Sequence, residues 1–253
     1  MPSVAERLVK PVRRLGRSGI LIVCGLAALV GVRQLPPDAS LSQVREAEVL
    51  LVCAPPGLPP LLTPQADGGF AGREAELVRA VAAQIGVPAQ WNTQPGWGRG
   101  ADPSDWGVRP SACNVAAGGI VASERTRALM DLVVYDRAPW ALAGDPGAET
   151  IGLYLPFWGI DRGTGARAIR EMGARPRFLF EAAHARDALQ NGQVGAILTL
   201  RPVARWLAGG DRRVDRVEAL PVQSLAIATW KGRTTLNRAV RRAVPQAGSA
   251  AAR

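Results

Sequence analysis

Side chains able to do covalent or acid–base chemistry are few in this chain, and they do not converge on one stretch. His184 is the only histidine. It lies in the helix-like "EAAHARDAL", where a solvated or partly packed imidazole is the ordinary reading. One histidine without a cysteine cluster excludes the familiar zinc ligand sets, and neither a metal nor a cofactor is expected. There is no G-x-S-x-G elbow, P-loop or dinucleotide fingerprint, and "GRGADPSDWG" has the wrong spacing for the last. The carboxylate pairs Glu74/Glu76 and Asp102/Asp105 have no partner group in the sequence and read as solvated. No enzyme is expected. What remains is the chemistry of binding, carried by Trp91, Trp97, Trp106, Trp140 and Trp158 near the ends of predicted strands. Such rings stack on an aromatic, sugar-like or quinone ligand, anchor a protein interface, or simply pack core and hinge.

The cysteines depend on compartment. "RLVKPVRRLGR" is a basic flank, and the fifteen residues "SGILIVCGLAALVGV" that follow carry no charge. A basic flank before a short apolar run is the pattern of a secretory signal or a signal anchor. At about 1.5 Å per residue the run covers roughly 22 Å, short of the ~30 Å hydrocarbon core. Residues 1–33 are therefore assigned to a signal peptide or membrane anchor, and the rest of the chain to the periplasm or the outer face of the membrane. Cys24 falls inside the apolar run, which leaves Cys53 and Cys113 as an even pair in an oxidising compartment. Cys53 ends the predicted strand "EVLLVC" and Cys113 opens "CNVAAGG". If these strands are neighbours the two can form a disulfide; otherwise they are two buried thiols.

The formal charge of +10 does not indicate nucleic-acid binding. Residues 1–33 hold Arg7, Lys10, Arg13, Arg14, Arg17 and Arg33 against Glu6, half of the excess. The other basic residues are nearly all arginines spread singly, with no basic run and no interleaved aromatics, which describes a solvated surface.

The elements that must position any site follow from periodicity. After a linker at 34–47, "EVLLVCA" reads as a strand and the proline-rich "PPGLPPLLTPQADGGF" as a loop at its carboxyl end. In "REAELVRAVAAQIG" Ala75, Leu77, Val78, Val81, Ala82 and Ile85 fall on one helical stripe, with Gly86 as the stop. "VPAQWN" and "CNVAAGGI" are strands, and "SERTRALM" is a helix capped by Ser123. "DLVVYD" follows as a strand. A second block alternates in the same way: "TIGLYLPF", "GTGARAIREMG", "RPRFLFE", "HARDALQNG", "QVGAILTL", "RPVARWLAGG", then "VQSLAIATWKG" and "TTLNRAVRRAV". Strands alternating with helices predict a parallel, doubly wound α/β sheet with its crevice at the strand carboxyl ends. Two such blocks predict two lobes with a cleft between them.

In order and spacing, Gly72-Arg73-Glu74-Ala75-Glu76-Leu77, Ile85-Gly86-Val87, Cys113-Asn114-Val115, Ser123-Glu124-Arg125 and "EAAHARDALQNGQVGAIL" resemble the bacterial extracellular solute-binding proteins of family 3. The resemblance covers roughly residues 48–240. It implies a two-lobe, type-II periplasmic-binding-protein fold. Lobe 1 would run over 48–138 and be completed by 222–253, with lobe 2 over 148–220. It implies a small-molecule ligand, anionic or polar, caught between the lobes by hinge closure and delivered to an ABC permease. Arg125 would clamp the ligand's carboxylate, with Gly118, Gly119 and Ser123 beside it. The loops around Pro59, Trp97, Gly118 and Trp158 would form the walls, and Thr199 the second-lobe contact. The sequence also departs from the family. Ile120 replaces a hydroxyl, Leu200 stands where an aspartate receives the ammonium group, and Leu61 or Leu62 replaces an aromatic. Those departures argue against ordinary zwitterionic amino acids.

One branch of the same fold, the solute-binding-like proteins associated with quinoprotein (PQQ) alcohol dehydrogenases, is similar at Cys53, Leu58-Pro59-Pro60, Ala75-Glu76-Leu77, "WNTQPGWGRG" and Cys113. That similarity implies the alternative role of an accessory or scaffold for a periplasmic dehydrogenase.

Overall fold

Burial of the predicted helical stripe organises the first lobe. The structure is a computed structural model and describes residues 21–22, 24–27, 38–97, 105 and 107–250, the last few of these as backbone only. Most of the assigned signal or anchor segment lies outside the described residues. Within it, residues 21–22 and 24–27 are helical and Cys24 is a free, exposed thiol. Among the described residues no helix is long and apolar enough to cross a membrane.

From Ala39 onward the chain forms one compact unit built on two five-stranded sheets. The first sheet uses β1 (Leu50–Ala54), β4 (Ala89–Thr93), β5 (Val115–Val121), β6 (Met130–Ala138) and β12 (Gln223–Trp230), in the order β4-β1-β5-β12-β6. The second uses β7 (Trp140–Gly144), β8 (Thr150–Tyr154), β9 (Arg175–Leu179), β10 (Ala196–Leu200) and β11 (Val214–Arg216), in the order β11-β7-β10-β8-β9. A two-stranded ribbon, β2 (Thr63–Pro64) with β3 (Phe70–Ala71), folds the proline loop. The helices are α1 (Ser40–Glu46), α2 (Arg73–Ile85), α3 (Glu124–Leu129), α4 (Arg162–Glu171), α5 (Ala182–Gln190), α6 (Arg201–Ala208) and α7 (Thr234–Ala250).

Two findings differ from the sequence reading. The sheets are mixed rather than parallel. β12 returns from the second sheet and inserts antiparallel between β5 and β6, and β7 runs antiparallel to β10. A strand that crosses between sheets arrives from the far end, so it cannot share the direction of the βαβ strands it joins. The linker 34–47 also contains α1. Ser40 Oγ accepts from the Leu236 N–H at 3.3 Å, the Leu41 N–H donates to Thr235 Oγ1 at 3.2 Å, and Val44 is buried, so α1 is fastened to the start of α7.

The α2 stripe packs as its periodicity requires. Ala75, Leu77, Val78, Val81, Ala82 and Ile85 are all buried, and left-handed Gly86 closes the helix on the carbonyls of Ala82 and Ala83. Leu77, Val78, Val81, Ala82 and Ile85 form one core cluster of the first sheet with Leu236, Val240 and Val244 of α7, while Ala75 joins the core shared with the second lobe. Cys53 and Cys113 are joined by a disulfide with their Cα atoms 5.5 Å apart. Parallel pairing of β1 with β5 brings the two together. The chain passes between sheets twice, at Pro139 and at residues 217–222.

Candidate functional site

The carboxyl ends of β1, β4, β8 and β9 meet where the two sheets face each other, the place where a doubly wound lobe binds its ligand. At the end of β5 this interface is closed by the chain itself. The segment between β8 and α4, Leu155–Asp161, runs alongside β5. The Trp158 N–H donates to the Gly119 carbonyl at 3.1 Å, and the Val121 N–H donates to the Trp158 carbonyl at 2.9 Å. Trp158 is buried in a cluster with Ile120, Met130 and Leu132 of the first lobe. Phe157 packs against Gly119, where an added Cβ would lie 2.8 Å from its ring and 2.5 Å from Leu58. Gly159 has φ 92°, and a Cβ there would lie 2.8 Å from the Val121 carbonyl oxygen and 3.0 Å from Ser123 Oγ. Only glycine fits this approach.

The polar groups of that crevice are equally committed. Glu74, expected solvated, is fully buried, because α2 begins with its first turn pressed against β5 and β6. The Gly119 N–H donates to both Glu74 oxygens, at 3.0 and 3.3 Å, and the Tyr135 hydroxyl donates to Oε1. Burial pushes the Glu74 carboxyl above its ordinary value, against the lowering effect of the Tyr135, Gly119 and Gly118 hydrogen bonds. Tyr135 is likewise pushed well up, by burial first and by the Glu74 charge second. The Ser123 hydroxyl accepts from the Thr126 N–H and the Thr126 hydroxyl donates to the Val121 carbonyl at 2.6 Å, so the start of α3 is capped internally.

The interface opens beside this strap. A cleft of about 580 Å³ lies between Pro55, Pro56, Gly57, Pro95 and Trp97 on the first lobe and Tyr154, Pro156, Phe157, Arg162, Phe180, Glu181 and Ala182 on the second. These residues follow the carboxyl ends of β1, β4, β8 and β9 or open α4 and α5. Burial pushes the Tyr154 hydroxyl well above its ordinary value. Asp161 caps α4, accepting from the Gly163 and Thr164 N–H groups, and these bonds hold its carboxyl below its ordinary value.

The residues singled out in the sequence are thus dispersed. Trp97 lines the cleft. Gly118 and Gly119 floor the closed crevice, under Pro55 and under Leu58 with Phe157. Ser123 is a cap and Trp158 part of the strap. Arg125 is exposed on α3 and is not among the cleft-lining residues. Pro59 is half-buried in the loop after β1. Thr199 is buried on β10 and its hydroxyl has no hydrogen-bond partner. Trp106 and Asp102 lie outside the described residues. His184 is exposed, with Nδ1 3.7 Å from Glu181. Among the described residues no group of three His, Cys, Asp or Glu side chains is placed to hold a metal ion.

Sequence reasoning missed the Glu74–Tyr135 pair and the cleft residues Phe157, Arg162 and Phe180. The available signal was "LPFWGID", a seven-residue βα connection, longer than the usual two to six residues and rich in aromatics. Reading "TIGLYLPF" as one strand concealed it; β8 ends at Tyr154.

The architecture is that of the two-lobe substrate-binding proteins of amino-acid ABC transporters. An L-arginine-bound protein of this type from Streptococcus pneumoniae matches with a TM-score of 0.65 at 16% identity, over 84% of this chain and 93% of that one. An ancestral cationic amino-acid solute-binding protein matches with a TM-score of 0.65 at 17% identity, over 84% and 95%. The same ancestral protein is described as a precursor of cyclohexadienyl dehydratase. ArgBP from T. maritima, as a mutant, matches with a TM-score of 0.63 at 15% identity, over 83% and 94%. No protein-family model and no curated protein matches the chain.

Proposed function

We propose that the chain is an extracytoplasmic solute-binding protein, without catalytic activity, that holds a small polar or anionic ligand between its lobes and presents it to an ABC permease. The observation that carries this reading is the cleft of about 580 Å³ walled by loops of both lobes, a volume suited to a small ligand. We place the ligand there rather than at Arg125, since the β5 crevice is filled by Phe157 and Trp158. A thermal-shift screen of the full chain over amino acids, organic acids, alcohols and sugars tests it. A true ligand at about 100 times its Kd adds roughly 2.7 kcal/mol to stability. A folded sample that no compound shifts would sink the proposal.

A second reading is favoured by the same filled crevice together with the exposed rings of Phe178 and Phe180 beside the edge strand β9. In it the protein keeps the fold and docks a periplasmic partner such as a quinoprotein alcohol dehydrogenase. Co-purification with such an enzyme, lost in Phe178→Ser/Phe180→Ser, is its expected signature. No association with the purified dehydrogenase removes this reading.

A further inference from the structure

The cleft sets flat rings beside a guanidinium that no acid pairs among the described residues. Prolines from both lobes, Trp97, Tyr154 and Phe180 give its sides flat apolar patches. Arg162, the first residue of α4, holds its guanidinium 5.6 Å from the Phe180 ring centroid. It makes no ion pair among the described residues. Of the acids beside it, Asp161 caps α4 through Gly163 and Thr164, and Glu181 is exposed, 3.7 Å from His184 Nδ1. Among the described residues Arg162 is the one cationic side chain of the cleft lining. A guanidinium stacked on an aromatic face keeps its N–H fork free at the edge, where it accepts a carboxylate in two parallel hydrogen bonds.

From this geometry we infer that the cleft takes a ring-bearing carboxylate, its acid group on Arg162 and its ring against the aromatic and proline walls near Trp97 and Phe180. The inference rests on the solute-binding reading above and names its ligand class. It differs from the Arg125 arrangement in that the anion clamp belongs to the second lobe. Flat rings stack on Trp and Phe faces more favourably than aliphatic chains of the same length. The acid therefore sets the orientation and the ring sets the choice among acids.

Isothermal titration of the full chain with 3-phenylpropionate, hexanoate, phenethylamine and L-arginine tests this. The expected order is 3-phenylpropionate first, hexanoate several-fold weaker, and phenethylamine without measurable binding. Arg162→Gln should weaken 3-phenylpropionate on the order of tenfold or more, as loss of a charge-assisted contact does. Arg167→Gln removes the same charge from an exposed site on the same helix outside the cleft, and should leave the affinity unchanged. Undiminished binding in Arg162→Gln, an equal loss in Arg167→Gln, or phenethylamine binding as well as the acid overturns the inference. If L-arginine or another solute binds and Arg162→Gln does not matter, the aromatic-acid class is wrong while the solute-binding reading stands. If no compound of this set or of the wider screen binds the folded chain, both fall.

Discussion

Glu74 holds its carboxyl where water cannot reach, fixed by the Gly119 N–H and the Tyr135 hydroxyl. Burial is the largest influence and raises its pKa above the ordinary 4.5. The folded state thus binds this proton more tightly than the unfolded chain does. By linkage, the contribution of Glu74 to stability is full below about pH 4.5 and is lost as the pH rises through the raised folded value. Urea unfolding of the parent and of Glu74→Gln across that range measures this. The parent should lose stability relative to the variant as pH increases, and a difference that stays constant with pH would refute the raised value. Neighbouring Arg73 pairs with Asp136 at 3.1 Å, so two consecutive residues of α2 are tied to two consecutive residues of β6.

At the scale of elements, the strap between β8 and α4 decides what the interface is. Its backbone joins β5 as one bridge, and its side chains extend the hydrophobic core across the gap. Truncating Trp158 to alanine removes a buried ring from a first-lobe cluster and is expected to cost about 3–5 kcal/mol of stability. Gly159→Val should also destabilise, because its Cβ collides with the Val121 carbonyl and the Ser123 hydroxyl at a positive φ. Denaturant midpoints of the two variants check both. A Trp158→Ala protein as stable as the parent would show that the strap does not hold the lobes. The strap covers the end of β5, the central strand of the first sheet, while the cleft is lined by residues that follow strands including the edge strands β4 and β9.

Across the whole molecule the two lobes share one core. A single buried cluster contains Ala54, Leu58, Leu61 and Phe70 of the first lobe with Leu153, Phe157, Ile197 and Leu198 of the second. Lobes joined in this way should unfold together, so calorimetry is expected to give one transition with equal calorimetric and van't Hoff enthalpies. The Cys53–Cys113 bond, closing a separation of 60 residues, stabilises that state chiefly by restricting the unfolded chain. The double variant Cys53→Ala/Cys113→Ala should lose about 2–4 kcal/mol and lower the transition without splitting it. Two resolved transitions in either protein would mean that the lobes fold independently.

What the sequence determined by itself was local and periodic. The α2 stripe and its Gly86 stop, the Ser123 cap, and the alternation of strands with helices are legible because each depends on residues within one or two turns of each other. The tertiary structure alone decided which ends meet. β7, β11 and α1 escaped notice because short elements carry too few periods to register, and the antiparallel entry of β12 depends on where the chain crosses between sheets. The burial of Glu74 follows from the approach of β5 and β6, residues 45 and 61 positions away, which no local pattern records. The site moved for the same reason. Arg125, Gly118, Gly119 and Ser123 are contiguous in the chain and look like one cradle, but Phe157 and Trp158 come from the other lobe to fill it. The open space, and the uncommitted charge of Arg162 beside it, exist only once both lobes are in place.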